Sequence, residues 1–486
     1  MADVVLCYPK TGFDMKFFRS LPLSVLAVGA TLVKDFEVKI IDQRVEKNWK
    51  GKLKRELNNL PLCVGISSMT GSQIGYALQM SKFVKENSED VKIVWGGPHP
   101  TLLPLQTLEN EFVDIVVRGE GDFTFRDIVI ALDKGKPLNK IPGIGFKKGK
   151  KKILTSMRRP VNLDRLPEIP YELVNVENYT EERSMVSKFA KRVLPFISSR
   201  GCPFHCAFCS VPHLHKSWRV MSPEKVSRRV KDMVERFNID YVIFNDENFF
   251  TDLKRSRLIA QSINGRFRWS VQARIDVIKN LDLREYQEFG LDLMQIGIES
   301  GSERILKLMN KGIKLKEILK ANEKLSKSEI EVRYNFMVGV PTETIEDIYR
   351  TVDLALKLVE ENPNARIAGF YVYVPYPGTK LYELSLLHGF SPPSKLEEWS
   401  SMSRQHLRNP WLKKYRGEIE NIVLTSRFVD KKRFSNIRSL GLFNNLIELY
   451  GNICSERWKR KDLGNKLDLL ILKILSRYMF RGIFCS

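Results

Sequence analysis

Residues 200–210 read RGCPFHCAFCS, and three of the chain's seven cysteines lie within them, at Cys202, Cys206 and Cys209. Thiolate sulfur is the usual protein ligand of iron–sulfur clusters. Three closely spaced thiolates can hold three irons of a cubane cluster and leave the fourth iron open to a small molecule. Two alternatives remain. The cysteines could be buried free thiols, which pack as small hydrophobic groups. They could also bind zinc, with His205 or a following histidine as the fourth ligand.

The CxxxCxxC spacing resembles the signature of the radical S-adenosylmethionine (SAM) superfamily. An aromatic residue, Phe208, directly precedes the third cysteine, as is usual in that family. The resemblance implies a 4Fe-4S cluster on the three cysteines, with the amino and carboxylate groups of SAM at the open iron. It also places Phe208 beside SAM. The preceding residues, 193–202, are apolar and partly β-branched, which predicts a buried strand that leads into the loop.

Strands and helices alternate from Val193 to about residue 400, which predicts six strand–helix repeats. This pattern resembles the partial (β/α)6 barrel of radical SAM enzymes, in which functional residues lie at the carboxyl ends of strands. Strands are expected at 194–198, 240–245, 268–271, 293–298, 331–338 and 367–374. Helices are expected at 223–237, 253–263, 282–289, 302–309, 315–327 and 345–360.

The predicted strand ends carry residues that suit SAM. By resemblance, Asp246 or Glu247 would bind its ammonium group, Arg274 its carboxylate and Glu299 its ribose. The segment with Gly339 and Pro341 would pack against the adenine. Each assignment has a structural alternative, because a carboxylate at a strand end is often a helix N-cap or a solvated loop residue. Arg274 could equally form an ion pair with a neighbouring carboxylate.

Residues 1–135 also alternate strands and helices, which predicts a doubly wound parallel sheet. Ligands bind such sheets beyond the carboxyl ends of the strands, where glycines allow close approach to the backbone. We expect strands at 3–8, 36–42, 62–68, 91–96 and 113–118, and helices at 22–34, 50–59, 72–86, 104–110 and after Asp122. The residues expected to bind a ligand are Ser67, Ser68, Thr70, Gly96, Gly97, Pro98, His99, Gly119, Glu120 and Gly121.

These loops are similar to those of the cobalamin-binding domain found in front of many radical SAM proteins, especially in WGGPHPTLLP and DIVVRGEGDFTFRDIV. One departure is that the loop after the first strand lacks the Asp-x-His-x-x-Gly motif that supplies a lower ligand to cobalt in other cobalamin proteins. By resemblance, His99 would contact the nucleotide tail and not the metal. The alternative is a Rossmann-like domain for another nucleotide, which the absence of GxGxxG after the first strand disfavours.

Two further segments complete the predicted organisation. Prolines interrupt residues 136–192, which predicts a linker of loops and a hairpin, with KKGKKK at 147–152 as a solvated turn. Residues 401–486 form a basic extension with helices expected at 430–449 and 462–480. The second helix could lie on an anionic membrane surface or pack its apolar face on the barrel, and we favour packing. Cys454 and Cys485 have no ligand spacing and are expected to be free thiols.

The composition limits the cellular location and the binding partners that we expect. No leader precedes the first predicted strand and no apolar run reaches transmembrane length, so we expect a cytoplasmic protein, with peripheral membrane contact as the alternative. The net charge is +22. It suits a solvated basic face, an anionic membrane or an acidic partner such as a ferredoxin or flavodoxin that donates electrons.

Taken together, residues 1–400 resemble cobalamin-dependent radical SAM enzymes, and the resemblance implies three cofactors: the cluster, SAM and cobalamin. Methyl transfer to an unactivated carbon is the leading prediction. The small-molecule substrate is expected to be a lipid, isoprenoid or pigment precursor. Alternatives are a radical cyclase, oxidase or rearrangement enzyme and a non-catalytic cobalamin or SAM sensor. A methylthiotransferase acting on tRNA would need three more cysteines, and the first domain holds Cys7 and Cys63 alone, so a nucleic-acid partner is not expected.

Overall fold

A computed structural model describes residues 2–12, 14, 19–180, 187–402, 409–430 and 443–464. The chain divides into two compact units. The first comprises Met1–Tyr179, Ser210–Arg219 and Pro392–Ser403, and the second comprises the rest. Two short segments that lie far along the chain are therefore part of the first unit.

The first unit is built on a seven-stranded sheet with the strand order β2-β1-β3-β4-β5-β6-β7. Strands β1 to β5 pair in parallel, and β6 and β7 add an antiparallel hairpin at the β5 edge. The strands are β1 Val4–Tyr8, β2 Val38–Asp42, β3 Cys63–Ser67, β4 Lys92–Gly96, β5 Ile115–Val117, β6 Ile144–Lys148 and β7 Lys151–Leu154. The helices are α1 Leu23–Ala30, α2 Trp49–Leu57, α3 Ser72–Asn87, α4 Pro98–Leu102, α5 Pro104–Glu109, α6 Asp122–Asp133 and α7 Val211–Leu214.

The five parallel strands are nearly continuous apolar runs because helices cover both faces of such a sheet. Their predicted positions agree with the structure to within about two residues at each end. The predicted hairpin is present, and its turn at Gly149 is exposed with φ +59°. Since β6 pairs with β5, however, the hairpin extends the sheet of the first unit.

The second unit contains a six-stranded parallel sheet in which strands that follow one another along the chain are neighbours, β8-β11-β12-β13-β14-β15. This is the predicted open barrel. Its strands are β8 Val193–Phe196, β11 Tyr241–Phe244, β12 Arg268–Ala273, β13 Leu291–Glu299, β14 Glu331–Val338 and β15 Ala365–Val372; two short strands are β9 Ser199–Arg200 and β10 Arg219–Val220. The helices are α8 Pro223–Phe237, α9 Leu253–Ile263, α10 Leu283–Glu288, α11 Glu303–Leu308, α12 Leu315–Ser326, α13 Ile345–Glu361 and α14 Lys380–Leu387.

Local sequence explains why these helices begin and end where predicted. Asp252 accepts a hydrogen bond from the Arg255 amide at the start of α9, and Thr344 forms a capping box with Asp347 at the start of α13. Asn238 and Asn264 end α8 and α9 in the left-handed conformation that asparagine tolerates. Strand β14 alternates buried and half-buried side chains along its length, as expected when its two faces meet different surroundings.

The C-terminal region departs from the prediction. Helix α15 spans Arg416–Val429 and was not predicted. Helix α16 spans Phe443–Lys459, which confirms the predicted helix at 430–449 over residues 443–449; residues 431–442 lie outside the described part of the chain. Helix α15 covers the edge strand β15, because Ser426 and Asp430 accept hydrogen bonds from the Phe370 and Ile367 amides. This contact occupies N–H groups at an otherwise unpaired sheet edge.

The rest of the extension bears on the membrane question. Most of the predicted helix at 462–480, together with Cys485, lies outside the described residues. Among the described helices, none combines the length and apolar character needed to cross a bilayer. Cys454 is a buried free thiol, as predicted.

Candidate functional site

The cysteine loop is held from both sides by backbone hydrogen bonds. The Ala207 amide donates to the Met309 carbonyl at 2.7 Å, and the Ala207 carbonyl accepts from the Leu381 amide at 2.9 Å. Ala207 packs in an apolar cluster with Val340 and Tyr373, and half-buried Phe208 lies against that cluster. The loop thus has a fixed apolar base while its cysteines remain at the surface.

Exposure separates these cysteines from the others. Cys202, Cys206 and Cys209 are half-buried, whereas Cys7, Cys63 and Cys454 are buried. Burial raises the pKa of Cys63 to about 12 and that of Cys454 to about 11, so both remain thiols at neutral pH. Three accessible thiols on one ordered loop fit the ligand set of a cluster with an open iron.

The histidines near the cysteine loop do not form a second group of ligands for zinc. His205 is exposed, and its carbonyl accepts a hydrogen bond from the Asn310 side chain at 2.7 Å. His215 Nδ1 shares a hydrogen bond of 2.8 Å with Glu120 Oε1 in the first unit. In the described part of the chain, no three histidine, cysteine or acidic side chains are grouped around a position for a single metal ion.

Asp246 is fully buried and fixes the strand that leads into the cysteine loop. Its carboxylate accepts hydrogen bonds from the Ser198 amide at 2.7 Å and from the Ser198 and Ser199 hydroxyls at 2.5 and 2.7 Å. Burial raises the pKa of Asp246, while these hydrogen bonds and nearby Arg255 oppose the shift. Arg255 completes the network by donating to the Ser198 carbonyl at 2.8 Å. Asp246 is therefore held by protein partners. Neighbouring Glu247 is half-buried, and burial together with the charge of Glu247 raises the pKa of Cys202.

Arg274 lies beside the cysteine loop but its guanidinium is already paired. It donates to both carboxylate oxygens of Asp276, at 3.0 and 3.1 Å, and to the Lys311 carbonyl at 2.8 Å. The same group stacks 3.8 Å from the centre of the Phe204 ring and lies 3.9 Å from the Cys206 sulfur. The structural ion pair, the alternative raised for Arg274 from its sequence, is thus present. The geometry places its positive charge against Cys206.

Glu299 and Lys311 form a buried ion pair at the end of β13. The Lys311 ammonium donates to Glu299 Oε1 at 2.7 Å, and both residues are less than a tenth exposed. Glu299 has φ +70°, a strained backbone for a residue other than glycine. The ammonium also lies 5.8 Å from the centre of the Phe208 ring. Lys311 was missed because nothing in the local pattern marks a loop lysine as buried.

The predicted adenine segment holds a second residue that the sequence did not single out for a role. Gly339 has φ +80°, and its amide and that of Val340 donate to Glu343 Oε2. Pro341 is buried. Glu343 Oε1 is buried without a hydrogen-bond partner, and burial raises the pKa of Glu343 to about 8. A protonated carboxyl here has a free O–H or carbonyl oxygen for a ligand.

In the first unit, the loops after β3 and β4 contact each other. The Ser68 amide donates to the Gly96 carbonyl at 2.8 Å, and the His99 amide donates to the Ser68 carbonyl at 3.3 Å. Gly97 has φ +105°, and a Cβ there would lie 2.7 Å from the Ser68 carbonyl oxygen. No other residue type fits at Gly97 without moving the backbone.

Two polar atoms in these loops have no partner. Ser68 Oγ and His99 Nε2 are buried without hydrogen bonds, although His99 Nδ1 pairs with Thr70 Oγ1 at 3.0 Å. Burial lowers the pKa of His99 to about 4, so the ring is neutral at physiological pH. Orphaned buried polar atoms are rare in folded proteins and here fit hydrogen bonds to a bound polar group. Cobalamin carries such groups on its nucleotide and corrin amides.

The remaining predicted residues of this unit differ in accessibility. Ser67 shares a hydrogen bond of 3.1 Å with Ser24 near the start of α1. Glu120 is paired within the unit with Arg219 and His215, so its carboxylate is occupied. The other predicted positions are half-buried and border the same strand ends: Thr70, Gly96, Pro98, Gly119 and Gly121.

Comparisons with family profiles match both units. The radical SAM superfamily profile matches residues 196–355, and the B12 binding domain profile matches residues 18–129. Among curated relatives, an uncharacterized methyltransferase of Pyrococcus horikoshii is 31% identical over 376 residues, which cover 75% of this chain and 78% of that protein. The anaerobic magnesium-protoporphyrin IX monomethyl ester cyclase of Rubrivivax gelatinosus is 26% identical over 66% of this chain but 58% of its own length.

Solved structures agree on the fold. The cobalamin-dependent SAM radical enzyme OxsB, with aqua-cobalamin and SAM bound, superposes with a TM-score of 0.73 at 18% identity. That match covers 99% of this chain and 76% of OxsB. The radical SAM methyltransferase TsrM from Kitasatospora setae, with cobalamin and a [4Fe-4S] cluster bound, gives a TM-score of 0.64 at 15% identity, over 82% of this chain and 81% of TsrM.

Proposed function

This chain belongs to the cobalamin-binding radical SAM enzymes, and we propose that it transfers a methyl group to an unactivated carbon of a small-molecule substrate. Its cofactors are a 4Fe-4S cluster, SAM and cobalamin. The observation that carries methyl transfer is the 31% identity to a methyltransferase, which extends over 75% of this chain. When bound, the cluster and SAM supply a radical and cobalamin supplies a methyl carrier.

We assign the cofactor contacts of the barrel as follows. Cys202, Cys206 and Cys209 hold the cluster, and Asp246 positions the strand before them through Ser198 and Ser199. Glu247 binds the SAM ammonium, because it is accessible while Asp246 is enclosed.

The other barrel residues bind or orient SAM. Glu299 has a second carboxylate oxygen for the ribose hydroxyls, and Lys311 orients it. Phe208, Gly339 and Pro341 form the apolar wall for the adenine. We propose that Arg274 acts on Cys206, at 3.9 Å, and not on the SAM carboxylate, because Asp276 already pairs with it.

The cobalamin contacts lie at the strand ends of the first unit. Ser68 and His99 offer unpaired polar atoms, and Gly97 allows close approach of the backbone. Neighbouring Ser67, Thr70, Gly96 and Pro98 complete these loops. Gly119 and Gly121 border the site after β5, with Glu120 holding that loop through Arg219.

The decisive experiment is anaerobic reconstitution with iron, sulfide, cobalamin, SAM and a reductant. Methyl transfer predicts formation of both 5′-deoxyadenosine and S-adenosylhomocysteine with substrate. Formation of deoxyadenosine alone would instead favour cyclisation or rearrangement, the second candidate function. That candidate is supported by anaerobic cyclase relatives at 26 and 27% identity. Absence of both products would contradict the proposed function.

The electron donor is proposed to be an acidic ferredoxin or flavodoxin. Segment 307–320 contacts the cysteine loop through Asn310 and Met309 and exposes Lys307, Lys314, Lys316 and Lys320. Such a cluster of positive charge attracts an acidic carrier and weakens with salt. Reversing the charges of Lys307, Lys314 and Lys316 should slow cluster reduction by an acidic ferredoxin, while reduction by dithionite stays unchanged.

The C-terminal residues carry the proposal for substrate class and membrane contact. A lipid, isoprenoid or pigment precursor is proposed from the basic, apolar C-terminal residues 460–486, which lie mostly outside the described part of the chain. If deleting those residues leaves both liposome binding and turnover of a lipid substrate unchanged, this assignment is wrong.

A further inference from the structure

Residues 392–402, here called the strap, follow the barrel in sequence but belong to the first compact unit. Their 3₁₀ helix, Leu396–Ser401, buries Leu396 and Trp399, which are 2% and 1% exposed. A buried tryptophan contributes a large contact area and seeks a hydrogen bond for its N–H. The strap is therefore an integral part of the unit that carries the cobalamin loops.

Trp399 contacts the loop after β4. Its indole N–H donates to Gln106 Oε1 at 2.7 Å, and its ring meets the His99 ring edge-on at 5.6 Å between centroids. Gln106 in turn donates to the Pro393 carbonyl at 2.9 Å, so helix α5 and the strap hold each other at two points. These contacts enclose His99 on the side of the strap.

Met402 contacts the loop after β3. Gly71 has φ +108°, and a Cβ there would lie 2.7 Å from the Met402 carbonyl oxygen. The close approach requires glycine at this position. Since Thr70 bonds His99 Nδ1 at 3.0 Å, the strap touches both loops at the place where they meet.

The contacts with the strap restrict the position of the His99 ring. Enclosed by Trp399 and held through Nδ1 by Thr70, the ring is 1% exposed, and its Nε2 has no partner. An imidazole whose orientation and tautomer are fixed by a neighbour can present its other nitrogen to a ligand in one direction. The strap thus fixes a polar atom in the proposed cobalamin site.

We propose that the strap is a positioning element of the cobalamin site, and that Trp399 sets cobalamin affinity by holding His99 and its loop. The inference rests on the proposed cobalamin contacts. Cobalamin binding then also requires the strap, which lies about 300 positions beyond His99 in the sequence. The first 179 residues alone are an incomplete cobalamin-binding unit.

The test measures hydroxocobalamin binding to the full-length protein without its cluster, by equilibrium dialysis and by the visible absorbance of the bound cofactor. Trp399→Leu should raise the Kd at least about tenfold, the scale of 1.4 kcal/mol. Trp399→Phe keeps a ring against His99 and should recover most of the affinity. Gln106→Met removes the indole's acceptor and serves as a milder variant if Trp399→Leu folds poorly.

Trp458 provides a matched control in the second unit. It is also 1% exposed, its N–H donates to a side-chain oxygen, Thr425 Oγ1, at 2.9 Å, and its ring meets Phe370 edge-on at 5.2 Å. Trp458→Leu should lower thermal stability as much as Trp399→Leu but leave the hydroxocobalamin Kd unchanged.

Each remaining outcome has a distinct meaning. Unchanged affinity in Trp399→Leu and Gln106→Met, with a wild-type protein that binds, would overturn the role of the strap. Equal loss in Trp399→Leu and Trp458→Leu would also overturn it, since the effect would then be general destabilisation. A wild-type protein that binds no hydroxocobalamin would refute the proposed cobalamin site itself.

Discussion

The polar side chains near the proposed cofactor sites are paired differently in the barrel and in the first unit. In the barrel, the charged residues expected to bind SAM are largely paired within the protein: Asp246 with Ser198 and Ser199, Arg274 with Asp276, and Glu299 with Lys311. In the first unit, neutral groups at the strand ends, Ser68 Oγ and His99 Nε2, are buried and unpaired.

The difference follows from the cost of burying charge. An isolated ion in a protein interior is far more costly than an unpaired hydroxyl or imidazole nitrogen. A charged side chain near a cofactor therefore needs a protein partner before the cofactor arrives, whereas a neutral group can remain unpaired. In the proposed assignment, Asp246 and Arg274 act through neighbouring protein groups, whereas Ser68 and His99 offer unpaired neutral atoms to cobalamin.

The largest expected effect comes from the cysteine loop, whose three thiols are half-buried. Alanine at Cys202, Cys206 or Cys209 should reduce 5′-deoxyadenosine formation to background and abolish the iron–sulfur absorbance. Cys454→Ala removes a buried thiol elsewhere in the same unit and should leave both unchanged. Retained deoxyadenosine formation in the loop variants would refute the cluster assignment.

Asp246 and Glu247 test the comparison within the barrel. Asp246→Ala removes the acceptor of three buried hydrogen bonds and should lower stability by about 3 kcal/mol, with loss of iron content. Glu247→Gln should lower stability less than Asp246→Ala does but raise the KM for SAM. Thermal unfolding and SAM titration measure the two effects. If Asp246→Ala instead raised that KM without loss of stability, Asp246 would be the direct contact.

Gly97 tests the first unit. Alanine at φ +105° costs about 1–2 kcal/mol in backbone strain, and its Cβ would collide with the Ser68 carbonyl. Gly97→Ala should weaken hydroxocobalamin binding at least about tenfold. Gly135 is also at positive φ, +59°, but a Cβ there would meet nothing within 4 Å, so Gly135→Ala should bind normally. Equal affinity of the two variants would show that this loop does not approach the cofactor.

His99 should make the first unit sensitive to acid. Its pKa is lowered from 6.5 to about 4 by burial, so the unfolded chain takes up a proton that the folded unit excludes. Stability is full above pH 6.5 and falls as pH drops toward 4, by about 2 kcal/mol at pH 5. Hydrogen exchange of β3 and β4 amides at pH 7 and pH 5 measures the loss. His99→Gln should flatten the dependence, and an equally steep profile in that variant would assign it to other groups.

Much of this protein could be predicted because its signals are local. Five of the strands in the first unit and six in the barrel are short apolar runs separated by helices, and their bounds follow from that alternation. The cysteine loop is likewise a property of eight consecutive residues, 202–209. Local propensity and spacing determine such features before any long-range contact forms.

Tertiary structure decided which residues lie around the proposed cofactor sites. The sequence does not show that Arg219 and Trp399 join the first unit, that Lys311 is buried against Glu299, or that α15 covers the edge of β15. Each depends on contacts between residues far apart in the chain, for which sequence periodicity carries no signal. The sequence by itself determined the two α/β units and the spacing of the cysteines proposed to hold the cluster. The fold decided which polar groups are paired and which remain free, because pairing depends on what packing brings within hydrogen-bond distance.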